Sequence, residues 1–201
     1  MAEVSSSEDL ASLFEYLKNA ESMLKENPEQ AVLLVENVLE EIQSKESVVA
    51  MHQRCSRLLD RLIPLLPMPA FLKLAKCLLQ KSVLEECCCH QYGSHVLQSI
   101  VSSSASRLYS DIRFSPQEDD TRAENTHDQG TPQERERLVN IFVDTIGELK
   151  DSWHWMVTDS CGTHVARFIL TLLCGRVPFK NDSSKSISNS KTNSFGCDNF
   201  T

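Results

Sequence analysis

Apolar residues recur along this chain at helical spacing, and the whole pattern reads as nearly all α. Leu10, Leu13, Phe14, Leu17 and Leu24 form one stripe, entered from Ser7 with Glu8 and Asp9 in the first turn, and predict a first helix. Asn27 before Pro28 supplies a cap and a first-turn proline, after which Ala31, Leu34, Val35, Val38 and Ile42 predict a second. Leu58, Leu59, Leu62 and Ile63 predict a helix over 54–66, which Pro64 kinks or ends before Pro67 and Pro69. Further helices are expected over 71–79, 93–108, 138–149 and 161–174.

Two stretches break the pattern. SPQEDDTRAENTHDQG, residues 115–130, is acidic and almost without large apolar side chains, so a solvated insertion is expected over 113–131. It ends at TPQE, where Thr131 caps, Pro132 takes the first helical position and Glu134 reaches back, a capping box. Gly175 and Pro178 stop the last helix, and the serine- and asparagine-rich segment 176–201 is expected to be disordered.

Three segments superpose without a gap: MHQRCSRLLDRLI from Met51, CHQYGSHVLQSIV from Cys89 and TDSCGTHVARFIL from Thr158. Each places a small residue at the turn into a helix (Cys55, Gly93, Gly162). A hydroxyl follows (Ser56, Ser94, Thr163), then a long or ring side chain (Arg57, His95, His164), two apolar positions and a polar residue (Asp60, Gln98, Arg167). Ser94 follows Ser56 by 38 residues, within the period of helical solenoids, and Thr163 follows Ser94 by 69, an excess of 31 that the acidic stretch after Ser102 supplies. The chain therefore divides into an N-terminal helix (1–27) and repeats over 28–67, 68–112 and 132–175. Each repeat is a first helix, a short connection and the patterned second helix. One such unit cannot bury its apolar face alone, so neighbours must stack.

On the second helix Ser94 and Gln98 share a face, His95 stands beside them, and Val96 and Leu97 turn to the core. Three polar side chains are thus expected to emerge together. That is the form of a modular reader of single-stranded RNA, in which a hydroxyl and an amide meet a base edge and an imidazole stacks. HQYGSHVLQ is similar to the second-helix signature of Pumilio-type (PUF) repeats, and DSCGTHVAR and HQRCSRLLD look like diverged copies. With LFEYLKNAESML and the stretch from LLVENVLEEIQ to LLP, the chain from Leu10 to Cys174 resembles the Pumilio-like nucleolar protein nine family.

That resemblance implies a right-handed α-solenoid of PUF-like, armadillo-related repeats. It also implies a nucleolar location, binding to precursor ribosomal RNA during small-subunit processing, pre-ribosomal assembly proteins as possible partners, and no catalysis. Ser94 and Gln98 resemble the family's adenine-favouring edge-reading pair, with His95 as stacker. Thr163 with Arg167, and Ser56 with Asp60, depart from the simple code. Arg167 suits a phosphate, Asp60 would repel one, and Arg57 and His164 stand where His95 does. Family members carry many more repeats, so the chain reads as a truncated form whose last repeat leaves an apolar face without a neighbour.

Composition narrows the alternatives. A formal charge of -8 argues against nonspecific coating of nucleic acid, which needs a broad cationic surface, but permits a local basic face. No apolar run approaches a membrane span and no signal-like segment follows Met1, so an intracellular protein with reduced thiols is expected despite its 8 cysteines. CCCH, Cys87 to His90, invites a zinc reading, yet adjacent ligands chelate poorly and no second pair matches them. Ser94 with His95, and Cys161 with His164, lack the elbow and orienting group of a nucleophile, so neither a cofactor nor a catalytic residue is expected. Trp153 and Trp155 read as packing between helices. The rival reading is a HEAT- or armadillo-like protein-binding scaffold, favoured by the acidity. A basic stripe from Arg54, Arg57 and Arg167 would instead favour RNA.

Overall fold

The structure, a computed structural model, describes residues 7–26, 37–109 and 130–176, and all regular structure among them is helical. Helix α1 spans Ser7–Glu26, and residues 37–41 are helical. There follow α2 (Glu46–Met51), α3 (Gln53–Leu62), α4 (Met68–Leu78), α5 (Lys81–Cys88) and α6 (Gly93–Tyr109). The last three are α7 (Pro132–Glu148), α8 (Trp153–Met156) and α9 (Gly162–Leu173). The expected break at Pro64 is a 3-10 turn, Ile63–Leu65, that closes α3. The capping box at α7 is formed: Glu134 N–H donates to Thr131 Oγ1 at 3.3 Å, and Thr131 N–H to Glu134 Oε2 at 2.7 Å. Gly175, at φ +71°, ends α9, with the Arg176 N–H returning to Thr171 O at 3.1 Å. The Asn27–Pro28 cap, the body of the acidic insertion and the tail beyond Arg176 lie outside the described residues.

The expected two-helix unit is corrected to three helices, because each connection is itself a short helix: α2, α5 and α8. These bury Val49 and Ala50, Leu84 with Cys87 and Cys88, and Met156 respectively. One or two turns carry too little periodicity to stand out in the sequence.

Stacking runs through the second helices. Helix α3 packs between α1 and α6, and α6 between α3 and α9, with Leu17, Leu97, Ile100, Val165 and Ile169 fully buried along the seam. Polar ties cross the same joints: Ser99 Oγ donates to the Asp60 carboxylate, Ser152 Oγ to that of Glu85, and Tyr109 OH to Leu172 O at 3.0 Å. Gly93 and Gly162 are there for packing, as expected. A Cβ at either would fall 2.7 Å from a carbonyl of the preceding short helix, Cys87 O or Met156 O.

The two ends of the array differ. Helix α1 seals the first, where Phe14 lies 3.7 Å beneath the Arg54 guanidinium and Glu21 pairs with Arg61 at 2.9 Å. At the other end Val157, Leu170 and Leu173 are 50%, 51% and 51% exposed. Their equivalents one repeat earlier, Cys88, Val101 and Ser104, are fully buried, as are Ala50 and Ile63 one repeat before that. Among the described residues no helix packs on this face.

The insertion is rooted at one point. Arg107, fully buried near the end of α6, donates to Leu66 O at 2.6 Å, stacks on Phe71 at 4.4 Å and lies 3.9 Å from Met68 Sδ. Gly130, at φ +66°, closes on the same Met68, whose Cγ a Cβ at position 130 would approach to 2.5 Å.

Candidate nucleic-acid interface

Each second helix begins on a side-chain acceptor at the same place in the repeat. His52 Nδ1 accepts the Cys55 N–H at 3.4 Å, and His90 Nδ1 accepts those of Tyr92 and Gly93 at 3.2 and 3.4 Å. Asp159 Oδ1 accepts those of Cys161 and Gly162 at 2.9 and 2.7 Å. The Gly162 bond above all holds the Asp159 carboxyl below its usual range. These caps fix where each helix starts, and so which column of residues faces outward.

One column is uniformly exposed: Arg57 on α3, His95 on α6 and His164 on α9. The columns on either side are not. Ser56 and Ser94 are 3% exposed, their hydroxyls donating to Gln53 O at 3.2 Å and Gln91 O at 3.3 Å. Gln98 is 7% exposed and its Nε2 donates to Ser94 O at 3.1 Å. Asp60 is half-buried and accepts from Ser99. Only in the last repeat is the whole set open: Thr163, His164 and Arg167 are exposed, with Arg167 Nη2 3.4 Å from His164 Nδ1.

The expectation that Ser94, His95 and Gln98 emerge together is therefore corrected: in this structure His95 alone of the three faces solvent. The cause is stacking. Ser94 and Gln98 lie on the flank of α6 that the next second helix covers, and the equivalent flank of α9, with no helix described beyond it, leaves Thr163 and Arg167 open. All three residues of the anticipated basic stripe, Arg54, Arg57 and Arg167, are exposed, and the Arg54 guanidinium also stacks on Phe14 of α1.

The remaining chemistry is structural. Cys87 and Cys88 are buried, and burial pushes the Cys87 thiol up to about 12 and Cys88 in the same direction, so both hold their protons. Cys89 is exposed and its thiol hydrogen-bonds that of Cys88, while His90 turns back as a cap. The Ser94 hydroxyl is committed to a carbonyl rather than to a base. Trp153 and Trp155 pack against the core. Two features escaped the sequence reading. The capping column His52, His90 and Asp159 is visible in the superposed segments, whereas nothing in the sequence marks Arg107.

Residues 44–194 match the family described as the NOP9-like PUF repeat domain. Nucleolar protein 9 of Komagataella phaffii is 30% identical over 181 residues, which is 88% of this chain and 27% of that protein. Nucleolar protein 9 of Paracoccidioides brasiliensis (strain Pb18) is 26% identical over 179 residues, 86% of this chain and 25% of that protein. The chain thus spans about a quarter of the length of these relatives. Among solved structures, one described as "Structure of APUM23-GGAUUUGACGG" superposes with a TM-score of 0.64 at 20% identity, covering 85% of this chain and 28% of that one. Its likeness extends to the fold, an α-solenoid of stacked helical repeats. With a family match that runs through all three capped second helices, this chain belongs to the NOP9-like PUF repeat family.

Proposed function

We propose that the chain binds single-stranded RNA without catalysis, as a nucleolar protein acting on precursor ribosomal RNA in small-subunit assembly. The observation that carries this is the exposed column Arg57, His95 and His164, one planar or cationic side chain per stacked helix. Imidazole and guanidinium planes stack on bases whatever their identity, at about 1–3 kcal/mol per base for such platforms. The relatives' name, Nucleolar protein 9, and the uracil-containing sequence in the description of the structural neighbour support the reading.

Within it, Thr163 and Arg167 meet the neighbouring base or a phosphate beside His164. Ser94 and Gln98 read an adenine edge only by releasing the carbonyls of Gln91 and Ser94 that they now hold. Ser56 and Asp60 are similarly engaged, and the bond from Ser99 spreads the charge that would otherwise repel a phosphate. Pre-ribosomal assembly proteins are the further partners this role implies.

The test is fluorescence polarisation with labelled precursor ribosomal RNA fragments, comparing the chain with its Arg57→Ala, His95→Ala, His164→Ala triple variant. All three side chains are exposed, so the fold is expected to survive. Saturable binding that weakens with salt and falls at least about tenfold in the variant is the expected result. Equal affinity in the two proteins would remove this column from the interface.

A further inference from the structure

Three thiols and a carboxylate meet where the second repeat joins the third. Cys88 ends α5, Cys89 follows it, and the two thiols hydrogen-bond one another. The Cys88 sulfur lies against the start of α9, 3.2 Å from where a Cβ of Gly162 would stand. The Asp159 carboxylate accepts from the Cys89 thiol and, at 2.9 Å, from the Cys161 N–H, so Cys89 and the N-cap residue of α9 share one partner. We propose that Cys89 and Cys161 form an oxidation site, at which a peroxide closes a disulfide between the second and third repeats.

The choice of pair follows from access and reach. Cys89 is exposed and Cys161 half-buried, whereas Cys88 is fully buried. Cys88 and Cys89 are also too close to pair: neighbouring Cα atoms stand about 3.8 Å apart across a trans peptide, short of the roughly 4.4–6.8 Å that a disulfide spans. Cys161, on the next repeat, escapes that constraint and already shares the Asp159 carboxylate.

The chemistry balances with hydrogen peroxide as the oxidant. The Cys89 sulfur attacks one oxygen; an S–O bond forms as the O–O bond breaks, and the thiol proton leaves with the departing oxygen as water. The Cys161 sulfur then attacks the resulting sulfenic acid. An S–S bond forms as the S–O bond breaks, and the Cys161 proton completes a second water. Two thiols have thereby given two electrons to one peroxide. Burial first, and then the Asp159 charge, push the Cys89 thiol above its ordinary value, so the reactive thiolate is scarce and the pair rests reduced. The inference stands apart from the RNA reading, since no residue of the exposed column takes part.

The experiment treats the full chain with hydrogen peroxide, blocks the remaining thiols with iodoacetamide, digests with trypsin without reduction and identifies linked fragments by mass spectrometry. Fragment 82–107, which holds Cys89, should be joined to fragment 151–167, which holds Cys161, and dithiothreitol should part them. Cys89→Ser and Cys161→Ser should each abolish the link, and Cys88→Ala should keep it. In urea, where the joint is gone, the same dose should scatter Cys89 among the other cysteines. Asp159→Asn, which keeps an acceptor for the Cys161 and Gly162 N–H groups, should speed closure several-fold. No intrachain link, a link that survives Cys89→Ser, or an equal share of it in the folded and urea-unfolded chains would each overturn the proposal. So would a disulfide-linked dimer as the main product. An unchanged rate in Asp159→Asn would overturn the role given to that carboxylate.

Discussion

The hydroxyl of Ser99 on α6 donates to the carboxylate of Asp60 on α3, joining residues 39 apart in the chain across the seam between two repeats. Both partners are largely withdrawn from water, Ser99 buried and Asp60 half-buried. Asp60→Ala should therefore destabilise the fold by about 1–2 kcal/mol, and Asp60→Asn, which keeps an acceptor, by less. Urea unfolding followed by circular dichroism measures this, and equal losses for the two variants would show that the acceptor is immaterial.

Where α6 and α9 each meet the short helix before them, there is no room for a methyl group. Gly93→Ala and Gly162→Ala each drive a Cβ towards a backbone carbonyl and are expected to cost about 1–3 kcal/mol. Gly147→Ala is the control, since nothing lies within 4 Å of a Cβ there. That variant should be neutral or slightly stabilising in the same unfolding assay.

The capping column predicts an exchange. His90→Ala removes the acceptor for two N–H groups and should cost about 1 kcal/mol, whereas His90→Asp installs the residue that the third repeat already uses and should recover most of it. Thermal melts of the two variants decide the matter. An aspartate no better than alanine would show that the imidazole acts by packing.

Buried thiols make the fold sensitive to alkali. The Cys87 thiol has an ordinary value of 9.0 and is raised to about 12 by burial, with Glu86 adding to the shift. Below 9.0 both the folded and unfolded chains hold the proton. Above it the unfolded chain releases the proton first, so stability is lost as pH rises, by up to about 1.4 kcal/mol per pH unit for each such thiol. Cys88 is raised in the same direction. Comparing urea midpoints at about pH 8 and about pH 10 should show the loss, and a Cys87→Ala, Cys88→Ala variant should show less of it.

Much of this was legible in the sequence because the repeat writes the same column three times. Arg57, His95 and His164 align without a gap, and the structure exposes all three. Ser94 and Gln98 misled for a physical reason. The periodicity of one helix tells which side meets its own core, not whether a second helix will lie along its flank, and α9 does so. The short helices were hidden by their length. Arg107 was hidden by its type, since a basic residue near a helix end ordinarily snorkels to water, whereas this one lies over Phe71 with its guanidinium on a carbonyl.

Arg107 and Gly130, which flank the inserted segment, both close on Met68. Closing a loop grows more costly only as the logarithm of its length, so residues added or removed there hardly tax the joint. This joint is a graft site: a fluorescent reporter or an affinity epitope spliced between 110 and 129 should leave the seam between the second and third repeats unchanged.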